Sequence, residues 1–300
     1  MFWWALLAAG VRIAERMSPV VLYSLGRGVA RALAIAPSAP RDRLRRNLAR
    51  VTGFSLGDSR LNAPVRGVYE TQVANYLDLL RIRRVLVPEV AQRFRLEGPG
   101  WQPFLERVRS GSGAVLVTPH FGRIELLNHC LAQFEFPTTL PVERLRPERL
   151  FNLVSTLRTH TGVHLIPHDA GLRPWLRALA DGHVVALFAE WSPSGDGVPV
   201  RYFGAEAHFP PGPAFIALRA DVPVFVGLWL PGETPDSFIA YMEAPLALQK
   251  SGSLEHDVRE ATQRVARLFE GHIARDPGYW VMFHDVWQGG VSQSAASSPP

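Results

Sequence analysis

The sequence predicts an α/β protein with a mostly parallel central sheet covered by helices on both faces, and three observations carry that prediction. From about residue 93 onward, short apolar runs alternate with helical patterns, the mark of strand–helix–strand units whose strands lie parallel. The runs "VLV" and "VVALF" are apolar without interruption, which fits strands buried on both faces. Finally, 300 residues at 47% hydrophobic content can bury a core of the required size, so general disorder is excluded.

The elements follow in order. The N-terminus, "MFWWALLAAGVRIAERMSPVVLYSLGRGVARALAIAP", is apolar for eleven residues before Arg12, Glu15 and Arg16 interrupt it. It falls short of the roughly 20 apolar residues of a spanning helix, and no basic stretch precedes Phe2 to make a signal peptide. The economical reading is one or two helices in a membrane interface, with Trp3 and Trp4 at head-group depth; a helix packed on the core is the bland alternative. "RDRLRRNLAR" then places five arginines in ten residues, ordinarily a solvated helix face. A helical pattern runs from about Leu61 to Leu80, with Val65, Val68, Tyr69, Val73 and Tyr76 on one side. It leads to a second cluster, Arg81, Arg83 and Arg84.

Strand-like "RFRLEG" precedes a helix from Trp101 to Arg109, and "AVLVTP" precedes a helix from Phe121 to Gln133. Helices near Pro147 to Thr159 and Leu172 to Ala180 lead to the strands "VHLIP" and "HVVALFAE". "VPVRYFG" reads as a strand, "PPGPAFIALRA" as a helix, and "VPVFVGLWL" and "FIAYME" as strands. A long amphipathic helix from Leu254 to Arg275 closes the pattern. This predicts interfacial membrane helices over 1–40, one α/β domain over 41–287 and a disordered tail over 288–300, where the chain is small, polar and proline-terminated.

The formal net charge is +5, and Lys250 is the only lysine among 32 basic residues. Such a surface suits anionic partners, from lipid head groups to an acidic carrier protein or a nucleotide-bearing cofactor. No nucleic-acid motif accompanies the arginines. Cys130 is alone on an apolar helical pattern, which excludes a disulfide and fits a reducing compartment. No G-x-S-x-G elbow or phosphate-binding loop is present, so a covalent acyl-enzyme is not expected. His160, His164 and His168 have metal-like spacing, but Gly162 and Pro167 oppose a helix there, and no metal is expected.

The block "TPHFGRIELL" lies where ligands bind in such sheets, beyond the carboxyl end of a strand. With Phe121 opening a helix, His120 is expected near the N-cap, kept neutral by the dipole and fit to act as a base. Glu125 is expected to lean back and orient the ring. Gly122 lets a ligand approach the backbone N–H groups there. Taken alone, a loop histidine near a helix start is more often structural.

H-x4-E after a buried strand resembles the H-x4-D/E block of glycerolipid-type acyltransferases. Further blocks resemble the branch of lipid A biosynthesis acyltransferases and phosphatidylinositol mannoside acyltransferases: "VERLRPERLFNLVSTLRTHTGVHLIP", "LRALADGHVVALFAEW", "VPVRYFGAEAHFPPGPAFIALRADVPVFVG" and "YWVMFHDVW". The resemblance runs from about Leu61 to Trp287. It departs from the family where Asp-Gln-Asp becomes Glu190, Trp191 and Ser192, where Tyr202 replaces a phenylalanine, and where His284 and Trp287 lack the usual flanking arginines. The resemblance implies a membrane-associated enzyme at the cytoplasmic face of a bacterial inner membrane. It would move an acyl chain from acyl-carrier protein or acyl-CoA to a glycolipid or phospholipid hydroxyl, with no other cofactor. His120 would be the base, and backbone N–H groups near Gly122 the oxyanion donors. Arg158, with Arg144 behind it and Arg123 beside Gly122, would bind substrate phosphate. Glu190 would support the His120 pair, hold the acceptor, or be a solvated strand-end carboxylate. A lipid-binding or assembly protein that has lost activity on the same scaffold is the rival.

Overall fold

The computed structural model describes residues 10–82, 92–142, 148–159, 162–191, 197–234 and 237–287. Among the described residues seven strands form the main sheet: β1 (Phe94–Glu97), β2 (Ala114–Thr118), β3 (Thr138–Val142), β4 (His164–Pro167), β5 (Val184–Phe188), β8 (Val224–Pro231) and β9 (Phe238–Met242). β6 (Val198–Tyr202) and β7 (Ala205–Phe209) pair as a separate antiparallel hairpin. The sheet order is β1-β9-β8-β2-β5-β3-β4. Every pairing is parallel except β8 with β9. The two central strands, β2 and β5, pair in register from Ala114 opposite Val184 to Thr118 opposite Phe188. Their side chains are buried on both faces along β2, as the uninterrupted apolar runs require.

Helices cover both faces, in chain order α1 (Pro19–Ile35), α2 (Ala39–Thr52), α3 (Asn62–Arg81), α4 (Trp101–Arg109), α5 (Leu127–Ala132), α6 (Glu148–Thr159), α7 (Arg173–Ala180), α8 (Gly212–Ala220) and α9 (Leu254–Arg275). One core layer includes Val115, Val117, Trp175, Val185, Ile216 and Phe269; the opposite layer includes Phe104, Leu116, Leu127, Leu131, Val184 and Phe225. Alternate residues of β2 and β5 thus enter opposite layers, as a period of two demands.

Local chemistry sets the helix ends. Ser38 caps α2 by accepting from the Arg41 N–H, and Gly53 ends it in the left-handed region at φ 71°. Ser253 caps α9 at the His256 N–H, with Glu255 and Asp257 in the first turn. The arginines of α2 are less solvated than their density suggests. Arg43 donates to the Phe283 carbonyl, Arg46 pairs with Asp285, and Arg50 lies over the Trp287 ring. Asn47 bonds the carbonyls of Met282 and His284. α2 therefore clamps the segment that follows α9.

Three sequence expectations need correction. The helix expected from Phe121 begins later: Phe121 and Gly122 make β-bridges to Trp280 and Trp229, a single 3-10 turn spans Ile124–Leu126, and α5 starts at Leu127. β3 lies in "TTLPV", where no strand was expected, because Pro141 interrupts its pattern. β7 was likewise unexpected in "AEAHF", and it completes the hairpin begun by "VPVRYFG".

Helix α1, which follows helical residues 10–16, has two faces. Leu22, Gly26, Ala30 and Ala34 are buried, and Gly26 sits where a Cβ would come within 2.7 Å of Leu77 on α3. Val21, Leu25, Val29 and Leu33, spaced by four, are exposed. Among the described residues no single helix is long and apolar enough to cross a membrane; α1 and α2 pass only as a pair bent by 85°. Trp3, Trp4, Arg83, Arg84, His160 and the tail from 288 lie outside the described residues.

Candidate active site

The site is assembled at the carboxyl ends of β2 and β5, because these strands are neighbours and each is followed by a chemistry-bearing residue. His120 follows β2 and Glu190 follows β5. The His120 Nδ1 lies 3.3 Å from Glu190 Oε2, and the same oxygen accepts the His120 backbone N–H at 2.6 Å. The Glu190 side chain is fully buried, whereas that of His120 is 31% exposed. Beneath the imidazole, Phe188 stacks at 4.2 Å and 14°. With Nδ1 facing a buried carboxylate, Nε2 is the nitrogen left for a substrate.

Glu190 is held from its other side too. The Trp280 indole N–H donates to Oε1 at 2.6 Å, and the Tyr202 hydroxyl lies 3.3 Å from the same oxygen. Burial, then the facing Glu190 carboxylate, raises the Tyr202 phenol well above its ordinary range. The loop itself is fixed by the closing segment, because Val281 N–H donates to the His120 carbonyl at 2.7 Å.

Glu125 does not orient His120. It takes two bonds from Arg158 on α6, Nη2 at 2.6 Å and Nε at 3.2 Å. The late helix start explains the difference: Glu125 sits in a 3-10 turn, not in the second turn of an α-helix beginning at Phe121. For the same reason His120 is not an N-cap, and the dipole argument for its neutrality lapses. Glu125 and Arg158 instead line a cavity of about 80 Å³ with Thr118, Ile124, Leu127, Leu140, Pro141, Ala186, Leu187 and Phe188.

The role expected of Gly122 also changes. Its N–H is bonded to the Tyr279 carbonyl at 2.9 Å, and the Arg123 N–H is bonded to the Trp229 carbonyl. Neither donor is left for an oxyanion. Gly122 is required for another reason: φ is 76°, and a Cβ would meet the Trp229 carbonyl oxygen at 2.0 Å. Arg123, expected to bind substrate, is 7% exposed and fixed to Asp78 of α3, Nε to Oδ2 at 2.6 Å and Nη2 to Oδ1. Burial opposes the Arg123 charge, but Asp78 and Tyr23 outweigh it and hold the guanidinium above its ordinary value. Arg144 lies outside the described residues. Cys130 is fully buried, and burial pushes its thiol up beyond the reach of neutral pH.

Sequence reasoning singled out Tyr202 only as a departure and passed over Phe188 and Trp280. The block "YWVMFHDVW" held the signal for Trp280, but only the fold shows that it closes over β5.

Residues 1–289 match the model of the bacterial lipid A biosynthesis acyltransferases. The chain belongs to this family. It is an acyltransferase. Among similar proteins, the phosphatidylinositol mannoside acyltransferase of Mycolicibacterium smegmatis is 29% identical over 286 residues, 93% of this chain and 90% of that one. The protein of the same name from Mycobacterium tuberculosis H37Rv is 28% identical over 261 residues, 84% of this chain and 79% of that one. The family match takes in His120, Glu125, Arg158, Glu190, Tyr202 and Trp280, so both carboxylate pairs belong to an acyltransferase domain.

Proposed function

We propose that this acyltransferase moves a fatty acyl chain from a thioester donor, acyl-carrier protein or acyl-CoA, to a hydroxyl of a mannosylated phosphatidylinositol or related glycolipid, with His120 as general base. The observation that carries the reading is the pairing of a half-exposed imidazole with a buried carboxylate at the carboxyl edge of the sheet. Glu190 fixes the Nδ1–H tautomer and stabilises the imidazolium as it forms. Nε2 takes the proton from the acceptor hydroxyl, whose oxygen bonds to the thioester carbonyl carbon. As the C–S bond breaks, the sulfur leaves with the proton returned from Nε2. These steps need no covalent enzyme intermediate and draw on no cofactor.

Arg158 and Glu125 lie beside Phe188, on which His120 stacks, and Arg158 is assigned to substrate phosphate in the planar, two-bonded manner of a guanidinium. The cavity there has the room of only two or three waters. A long acyl chain must widen it or continue beyond it.

The exposed stripe Val21, Leu25, Val29 and Leu33 supports the membrane reading: α1 packs on α3 by one face and lays the other on the bilayer, at the cytoplasmic face of a bacterial inner membrane. Replacing Leu25 and Val29 by glutamate should release the protein from anionic vesicles in a flotation assay while leaving its melting temperature unchanged. Retention on the vesicles would remove α1 from the membrane contact.

The deciding assay supplies radiolabelled acyl-CoA or acyl-carrier protein and phosphatidylinositol mannoside to the purified enzyme. Label should appear in the glycolipid; His120→Ala should abolish transfer, and Glu190→Gln should lower turnover by roughly 100-fold. Undiminished transfer by folded His120→Ala protein would overturn the mechanism.

A further inference from the structure

We propose that the Tyr202 hydroxyl and the Trp280 indole N–H are positioning groups that hold the Glu190 carboxylate aimed at His120, and so tune how readily the imidazole serves as a base. The inference rests on the reading of His120 as that base. It concerns the other oxygen of its partner.

A carboxylate offers about four lone-pair sites, and here four polar groups face the two oxygens. Oε2 accepts the His120 N–H at 2.6 Å and faces Nδ1 at 3.3 Å; Oε1 accepts the Trp280 indole N–H at 2.6 Å and lies 3.3 Å from the Tyr202 hydroxyl. The side chain has no solvent exposure, and among the described residues no arginine or lysine bonds it. A buried carboxylate must find hydrogen-bond donors, and on Oε1 Glu190 finds two neutral ones. Anchoring Oε1 from β6 and from the closing segment leaves Oε2 to His120 alone.

Tyr202 is placed to do this without its hydroxyl being needed for packing. Its ring is fully buried, lies edge-on to Phe209, and stacks on Trp287 at 5.8 Å and 23°. Its carbonyl accepts the Trp287 indole N–H at 2.9 Å. The phenol stays protonated across the working range, so towards Glu190 it acts only as a donor.

The other ionisable groups around the pair are occupied. Glu270 on α9 accepts the Phe203 N–H, Asp285 pairs with Arg46, Glu125 with Arg158, and Asp78 with Arg123. His284 stacks on Trp191, and Tyr279 meets the edge of Phe121.

The sign follows from the donors. Removing one makes the carboxylate more basic, and a more basic carboxylate binds the Nδ1–H of the imidazolium more strongly. Both effects raise the proton affinity of the pair. In Tyr202→Phe the acid limb of kcat/KM should therefore move to higher pH. Turnover should fall by about 3- to 10-fold, the worth of one net hydrogen bond, with KM unchanged. Trp280→Phe, which removes the shorter bond, should do more of both.

The test follows the histidine ring signals of labelled enzyme by NMR during a pH titration, with His120→Asn identifying the His120 signal. No substrate is needed. The His120 midpoint should rise in Tyr202→Phe and further in Trp280→Phe, while those of His164 and His183 stay in place. An unmoved His120 midpoint in Tyr202→Phe protein with an unchanged melting temperature overturns the proposal, and that variant decides alone should Trp280→Phe fail to fold. Absence of acyl transfer in the wild-type enzyme would instead sink the base reading and leave the midpoint result standing.

Discussion

Arg123 and Glu125 stand two residues apart in one loop, yet their ion pairs belong to different physical regimes. Arg123 meets Asp78 with side-chain exposures of 8% and 1%; Glu125 meets Arg158 with exposures of 14% and 30%. Both pairs are two-bonded contacts between a guanidinium and a carboxylate. In the first, neither charge can be released without leaving the other stranded in a low-dielectric interior. In the second, water reaches both partners, so an incoming phosphate can share or take over the guanidinium. Two arginines expected alike to bind substrate are therefore divided by burial: Arg123 braces α3 against the loop after β2, and Arg158 faces the cavity.

The sharpest way to break that division is to cut the buried pair. Asp78→Ala should cost about 3–5 kcal/mol of stability, read as a large loss in urea or thermal unfolding. Replacing both partners, Asp78→Leu with Arg123→Met, should recover much of it, because no charge is then left unpaired. A single variant that melts like the wild type would show that water reaches Asp78.

The partly exposed pair should give a smaller effect on a different quantity. Arg158→Lys keeps the charge and loses the planar fork, so phosphate-bearing substrate should bind about 1–3 kcal/mol more weakly, with the melting temperature almost unmoved. Glu125→Gln, which frees Arg158 from a competing anion, should act on KM more than on turnover. An unchanged KM for both substrates in Arg158→Lys would place that residue outside the site.

The sheet was legible because burial on both faces writes itself as an uninterrupted apolar run, and the place of His120 just beyond β2 was legible because that run stops at Pro119. Helix α9 matched its pattern from Leu254 to Arg275, since caps and a long periodic face agree there. The partners were not legible. Whether His120 meets Glu125 or Glu190 depends on where a helix begins, and Phe121 and Gly122 are drawn out of that helix by bridges to Trp280 and Trp229, remote in sequence. Arg123 carries no local sign that Asp78, 45 positions earlier, will bury it. Strand β3 was hidden by Pro141, and β7 by a run, "AEAHF", that is small or polar before Phe209. Tertiary contacts decided each of these.

The smallest effect belongs to a third pair, which tests whether burial alone ranks them. Arg31 on α1 meets Glu70 on α3 at 3.1 Å, with exposures of 64% and 28%. An exposed pair of this kind contributes about 0–1 kcal/mol. α1 is held to α3 mainly by apolar contact, with Gly26 packed so closely on Leu77 and Val73 that a Cβ would come within 2.7 Å. Arg31→Ala should thus lower the melting temperature by at most about 2–4 °C. That small loss should fade in 1 M salt, where the screening length falls to about 3 Å. Gly26→Val, which forces the helices apart without touching a charge, should cost more and should not respond to salt. A larger loss in Arg31→Ala that persisted at high salt would mean that the guanidinium stem packs on α3, and burial of the charged atoms would then no longer suffice to rank the three pairs.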